Sequence, residues 1–380
     1  MWKIDNTPPR TYEAPGFSEP GVTGLFYDGP SWQGKPTRVF AWLGMPAQSA
    51  QASGGKVPGI VLVHGGGGSA FSRWVRLWNE RGFAAIAMDT CGHTPDSGSL
   101  RRDHHALGGP PGWGVYEKSL EAPTEQWGYH AVEAILRGHS LLRAQPGVDE
   151  KRIGLTGISW GGVLTGIAAG HDPRFAFAMS VYGCGFLDRS PGLGLDKADK
   201  PHAEKWMELW DPSRHLKDAK MPFFWINGTN DFAFTPKIWQ ESHRLPSARG
   251  GKKTLSFKLR MPHGHGAAGE NPEELRLFAA SHCFGEPPPL ARLKKQERQG
   301  RMIRAEFDTK VPLKTAELLF TKDDGIPWPQ RNWQAQPVLL SGNLASSAIP
   351  LGTIACYLNV TDTRGCTTSS EIEFFEHGTR

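Results

Sequence analysis

The sequence predicts an α/β fold, a doubly wound and mostly parallel sheet, followed by a small all-β sandwich of immunoglobulin-like size. Three observations carry this reading. Continuous apolar runs at 59–63, 83–88, 153–158, 175–182 and 221–226 alternate with longer connecting segments, several of them helical in period, as strands buried on both faces of a parallel sheet require. One run ends in Gly157-Ile158-Ser159-Trp160-Gly161, a strand–turn–helix pattern in which small residues flank a sharp turn. Past Pro287-Pro288-Pro289 the helical period disappears, and residues 301–375 hold short alternating runs separated by turn residues. The implied organisation is an extended arm over 1–20, a large α/β domain over 21–288, a linker over 289–300 and the sandwich over 301–380.

In chain order, 25–30 and 37–45 read as an antiparallel hairpin, and 48–56 as a polar loop. The strand at 59–63 runs through His64 into Gly65-Gly66-Gly67-Gly68. Residues 71–81 place Trp74, Leu77 and Trp78 on one helical face, and Gly82 ends that helix. The connection over 89–117 is too long for a plain turn and leaves the carboxyl end of a strand, where such sheets bind ligands. A helix over 124–145 precedes the elbow strand. After the elbow come an insertion over 183–214 with a short Trp-rich helix, a strand delivering Asp231, a strand delivering His263 and His265, and a closing helix over 273–283.

Bulk properties exclude several classes. Lys and Arg total 43 against 38 Asp and Glu, a net charge of +5, and the one basic stretch (Lys294-Lys295…Arg298…Arg301) reads as solvated linker, so no nucleic-acid partner is expected. No apolar run approaches the ~18 residues that a membrane span needs. The five cysteines lack a framework spacing, and a turn near Thr363-Arg364 would set Cys356 opposite a residue near 371 rather than Cys366, so free thiols are expected. No Cys/His spacing matches a zinc site, and His104-His105 lacks a third ligand, so neither metal nor cofactor is expected. Residues 1–6 show no apolar signal region, which implies a cytoplasmic protein unless a leader has been removed, in which case it is secreted or periplasmic.

The chemistry lies in three groups at the carboxyl ends of successive strands, in the order Ser159, Asp231, His265. A serine hydroxyl becomes nucleophilic when a histidine takes its proton, and that histidine needs a carboxylate to fix its tautomer and stabilise the imidazolium. His263, two residues earlier, is the second choice for the histidine. Asp211 competes for the acid role, but Asp211-Pro212 at a helix end is explained as a turn. The glycines after His64 leave backbone N–H groups uncovered. No Gly-Lys-Ser/Thr follows, so they suit an oxyanion better than a nucleotide phosphate. The expected oxyanion donors are the N–H groups of Trp160 and Gly66, with His64 bracing the loop. Asp89 is expected to anchor a loop. Trp113 and Trp127 are candidates for substrate binding, because flat aromatics stack on sugar rings; the alternative for each is packing in the core or a lid.

These motifs together (His64-Gly-Gly-Gly-Gly68 with Trp74 and Trp78, Gly-Ile-Ser159-Trp-Gly-Gly, Asn227-Gly-Thr-Asn-Asp231, and Met261-Pro-His-Gly-His265) resemble bacterial α/β-hydrolases of the acetylxylan esterase and dienelactone hydrolase-like group. The resemblance covers roughly 20–285. The elbow carries Ser where dienelactone hydrolases proper carry Cys. The resemblance implies a serine esterase acting on short acyl esters, acetyl above all, on a small ester or an acetylated polysaccharide. Two other readings stand beside it: a serine peptidase of the prolyl oligopeptidase type, and a non-catalytic carbohydrate-binding protein on a hydrolase scaffold.

Overall fold

The computed structural model describes residues 2–47, 55–95, 103–246, 252–376 and 379. Most of the polar loop expected over 48–56 and part of the 89–117 connection lie outside them. Nine strands form the main sheet: β1 (Thr11–Glu19), β2 (Val22–Asp28), β3 (Arg38–Gly44), β4 (Val57–Val63), β5 (Ala84–Met88), β6 (Val148–Ile158), β7 (Phe177–Val181), β8 (Phe223–Gly228) and β9 (Lys253–Lys258). Their spatial order is β1-β2-β3-β5-β4-β6-β7-β8-β9. From β5 to β9 all neighbours pair in parallel. β1, β2 and β3 form an antiparallel meander that joins the rest through β3 and β5. The parallel strands at the centre are buried along nearly their whole length, as in β4, β5, β7 and β8, which accounts for their unbroken apolar sequences.

Helices α1 (Ser72–Glu80), α2 (Trp127–Arg143) and α3 (Trp160–His171) cover this sheet. Trp74, Val75 and Trp78 of α1 are buried, whereas Leu77 is only partly so. Then follow α4 (Lys200–Trp210) in the insertion, α5 (Pro236–Arg244) and the closing helix α6 (Glu273–Cys283). Among the described residues no helix is long and apolar enough to cross a membrane.

Two boundaries differ from expectation. The extended arm expected over 1–20 is, from residue 2 on, part of the domain: β1 pairs with β2 from Thr11↔Tyr27 onward, and Trp2 packs on Tyr129 and Trp210. Pro15-Gly16 makes the stretch read as non-strand, and the register shift between Glu13 and Ser18 absorbs it. Residues 289–300 are not a linker either. β10 (Arg292–Gln299) is an edge strand paired with β11 (Met302–Asp308), tied to it by the cross-strand pairs Arg292–Asp308 and Lys294–Glu306. An edge strand rich in charge lacks apolar alternation and resists pairing with other chains.

The C-terminal region continues with β12 (Leu313–Thr321), β13 (Trp333–Pro337), β14 (Leu339–Ser341), β15 (Leu344–Ala348), β16 (Ala355–Asp362) and β17 (Thr367–Ser369). They form two antiparallel sheets, β10-β11-β15-β14 and β13-β12-β16-β17. Ile303, Phe307, Leu318, Leu358 and Val360 share a core between them. β16 is buried on both faces. Its Cys356, Leu358 and Val360 belong to that core, while Ala355 and Tyr357 join the core of the main sheet. Tyr357 Oη donates to Phe257 O at 3.0 Å, and Phe257 N donates to Ser369 Oγ at 2.7 Å, so side chains of the C-terminal sheets cap the outer edge of β9. All five cysteines are buried, and Cys356 lies opposite Glu373.

Candidate active site

Ser159 follows β6 directly and precedes the first residue of α3. Its backbone sits at φ 57°, ψ −118°, a region that costs a non-glycine residue on the order of 1–3 kcal/mol. The strain is held in place by packing on both sides. A Cβ on Gly157 would stand 2.0 Å from Gly161 O, and one on Gly161 would stand 2.0 Å from Val63 O. Only glycine lets strand, turn and helix pass this close, and the turn carries the serine hydroxyl to the end of the sheet.

The structure places His263, not His265, beside that hydroxyl. His263 Nε2 lies 2.9 Å from Ser159 Oγ, and its Nδ1 lies 2.6 Å from Asp231 Oδ2. Asp231 is 2% exposed, and its Oδ1 accepts from the backbone N–H groups of Ala233 (2.9 Å) and Phe234 (2.7 Å). Those bonds keep a buried carboxylate oriented toward the imidazole. The imidazole plane is fixed by stacking on Tyr182, with centroids 4.5 Å apart and planes 22° apart. Tyr182 Oη donates to Pro262 O at 2.7 Å, which pins the residue just before His263. Tyr182 carries no catalytic signature in the sequence; its position one residue beyond β7 is the only pointer to it.

His265 does another job. Its Nε2 accepts from Gly65 N at 3.0 Å, so its proton resides on Nδ1, which faces Glu270 Oε1 at 3.2 Å. Arg73 Nη2 donates to Glu270 Oε1 at 2.7 Å, and Phe71 and Trp74 flank the imidazole. His265 therefore ties the glycine loop to α1 and the turn after β9. The correction has a plain physical cause. Both histidines precede a glycine, and the choice between them depends on where Asp231 and Tyr182 meet the loop, which spacing does not encode.

Burial pushes the Glu270 carboxyl up, but hydrogen bonds from His265 and Arg73 outweigh it and hold its pKa at about 2 instead of the ordinary 4.5. A carboxyl depressed by folding adds stability above its unfolded pKa and loses it as pH falls toward the folded value. The urea midpoint of the wild type is thus expected to fall between pH 4.5 and about 2 more steeply than that of Glu270→Gln. Parallel profiles would contradict the brace.

With Gly65 N–H engaged by His265, the next amide of the loop, Gly66 N–H, has no protein acceptor among the described residues. Trp160 N–H, at the first position of α3, has no intrahelical acceptor. A Cβ on Gly66 would lie 2.7 Å from Trp160 Cδ1, so the two segments are in contact. His64 is buried under this loop. Its Nε2 accepts from Thr90 N at 3.0 Å, and its Nδ1 donates to Gly65 O at 2.9 Å. Asp89 Oδ1 accepts from the N–H groups of Cys91 (2.8 Å) and His93 (2.9 Å), and so shapes the start of the long connection.

The aromatic candidates divide. Trp127 is 2% exposed, donates its Nε1 proton to Thr90 O and packs edge-on against Trp160, so it supports the site from beneath and does not face a substrate. Trp113 is partly buried against the main core. Asp211 is away from the triad, accepting from the N–H groups of Phe186, Leu187 and Ser213. His104 pairs with His93 across a short two-stranded bridge, and no cluster of three or more potential metal ligands occurs among the described residues.

Comparison with known proteins agrees with this architecture. Residues 112–281 match the prolyl oligopeptidase family. The chain is similar in structure to an acetyl xylan esterase from Paenibacillus sp. R4, at 19% identity and TM-score 0.53, over 72% of this chain and 89% of that one. It is similar also to acetyl xylan esterase 1 from Thermoanaerobacterium sp. JW/SL YS485, at 18% identity and TM-score 0.50, over 68% of this chain and 84% of that one. An acylaminoacyl peptidase from Pyrococcus horikoshii aligns at 20% identity and TM-score 0.48, over 68% of this chain and 40% of that one. No curated protein matches the sequence. At these identities the likeness establishes the α/β-hydrolase fold, and the family match agrees with a serine hydrolase.

Proposed function

We propose that this chain, an α/β-hydrolase of the serine hydrolase type, cleaves short acyl esters, acetyl esters of a carbohydrate in particular, through an acyl-enzyme. The observation that carries the mechanism is the bridging position of His263, 2.9 Å from Ser159 Oγ and 2.6 Å from Asp231 Oδ2. Ser159 Oγ attacks the ester carbonyl carbon while its proton passes to His263 Nε2. The C=O electron pair moves onto the oxygen, where the N–H groups of Trp160 and Gly66 stabilise it. Collapse of the tetrahedral intermediate breaks the bond to the alcohol oxygen, which takes the proton from His263. Water, deprotonated by the same imidazole, then attacks the acyl-serine and releases the acid. Asp231 keeps the Nδ1 proton in place and stabilises the imidazolium throughout.

The acetyl and carbohydrate parts are supported by the two structural relatives described as acetyl xylan esterases. The C-terminal sheets, read as an immunoglobulin-like sandwich, add a wall to the site and no catalytic group. A peptidase reading is favoured by the family match over 112–281, since an amide can be cleaved by the same steps with an amine leaving group. The assay that separates them compares acetate release from acetylated xylan, p-nitrophenyl acetate, p-nitrophenyl esters of long acids and peptide p-nitroanilides. Acetate from xylan and turnover of the short ester, both lost in Ser159→Ala, are the expected result. Preferential cleavage of peptide anilides would replace the esterase reading with the peptidase one.

A further inference from the structure

A cavity of about 570 Å³ opens beside the triad, between the Asp231–His263 side of the site and the C-terminal sheets. This is within the usual size range of small-molecule sites. Phe232, Arg260, Met261 and Pro262 form one wall, and the turn Pro329-Gln330-Arg331-Asn332 before β13 forms the other. The two walls are bonded together. Asn230 Nδ2 donates to Pro329 O (3.0 Å) and Arg331 O (2.8 Å), and Arg260 Nη2 donates to Asn332 Oδ1 (2.8 Å). The C-terminal sheets are thereby built into the approach to His263.

Two features of the lining point to a ligand class. Phe232 is 51% exposed, unusual for a large aromatic, and its ring lies 4.7 Å from that of His263. An exposed aromatic face among polar side chains suits the apolar face of a sugar ring. The second feature is charge. Arg260 and Arg331 both line the cavity, and among the described residues neither has a carboxylate within ion-pair distance. Asp323 and Asp324 act on Arg331 only from farther away, and the lining carboxylate, Asp231, is committed to His263 and to its own turn. Arg331 is preset: its guanidinium lies 3.6 Å over the Trp328 ring, its Nε donates to Ile326 O at 2.7 Å, and its buried Nη1 has no partner among the described residues. A stacked guanidinium with no carboxylate paired to it is suited to a carboxylate or sulfate.

The chemistry of the reaction fixes which half of the substrate lies here. His263 must protonate the departing alkoxide, so the alcohol half of the ester leaves on the imidazole side. We infer that this cavity is the alcohol-side subsite and that it takes an acidic sugar, carrying a carboxylate or a sulfate, with its ring against Phe232 and its anion on Arg260 and Arg331. The inference rests on the ester-hydrolase reading above.

The test measures kcat/KM for acetylated xylo-oligosaccharides that are neutral, uronate-bearing or sulfated, and for phenyl acetate against 4-acetoxybenzoate, in wild type, Arg260→Gln, Arg331→Gln and Gln330→Ala. The wild type is expected to favour the anionic member of each comparison, with the preference shrinking as salt rises. In Arg331→Gln the ratio of anionic to neutral kcat/KM is expected to fall by about tenfold to a hundredfold, as for loss of a charge-assisted hydrogen bond. Preference for uronate or for sulfate identifies the anion. No preference in the wild type, or an equal loss on every substrate in the arginine variants, would overturn the subsite. Hydrolysis of the aryl acetates without any acetylated sugar would remove the carbohydrate reading, while the aryl pair would still decide the anion site.

Discussion

Replacing His263 with alanine is expected to lower kcat for ester hydrolysis by roughly ten-thousand- to a million-fold, about as much as Ser159→Ala, because nucleophile and base act as one unit. His265→Ala is expected to cost no more than roughly a hundredfold, since it removes the bond that holds Gly65 and slackens the loop bearing Gly66, the proposed oxyanion donor. The contrast is the substance of the prediction. Only His263 touches Ser159 Oγ and Asp231, whereas His265 touches Gly65 N and Glu270. Steady-state kinetics of the two purified variants on p-nitrophenyl acetate decide it. A near-silent His265→Ala enzyme beside an active His263→Ala enzyme would reverse the assignment.

The second large effect is on folding. Gly161→Ala would place a methyl 2.0 Å from Val63 O and 2.7 Å from His64 O, both backbone atoms of neighbouring segments at the sheet end. Neither can rotate away as a side-chain tip could, so β4, the glycine loop and α3 would have to separate. The expected loss is at least about 3 kcal/mol, at the top of the overpacking range, with the elbow itself displaced. Denaturant unfolding of Gly161→Ala beside wild type measures it. By contrast, Gly300→Ala, at a positive-φ turn where an added Cβ meets nothing within 4 Å, brings backbone strain without a clash and is expected to cost less. An unchanged midpoint for Gly161→Ala would refute the close-packed elbow.

These two results also mark how far the sequence could be read. The elbow, the order of serine, acid and histidine and the parallel strands were legible because each follows from local rules: apolar runs without alternation, glycines where backbones cross, and functional groups at strand ends. Asp231 lies at such a strand end, where the N–H groups of Ala233 and Phe234 hold its Oδ1. The histidine was not legible. Two candidates separated by one residue point in different directions, and the decision belongs to Tyr182 and Pro262, contacts between distant strands. Trp127 illustrates the same limit, since richness in tryptophan does not tell a wall from a foundation. The charged strand β10 and the Pro-Gly-containing β1 hide for the opposite reason. Pairing with a neighbour overrides a composition that reads as loop. β16 shows what alternation can conceal: both faces are buried, one in each core, so the contact between the two parts of the chain is written as an ordinary strand.

The most direct test of the account is identification of the covalent intermediate. The enzyme is mixed with p-nitrophenyl acetate, quenched in acid within the turnover time and digested, and the acetylated peptide is mapped by mass spectrometry. The account predicts a single acetyl group on Ser159, absent in Ser159→Ala, far slower to form in His263→Ala and readily formed in His265→Ala. Acetyl on another residue, or hydrolysis that continues in Ser159→Ala, would contradict it.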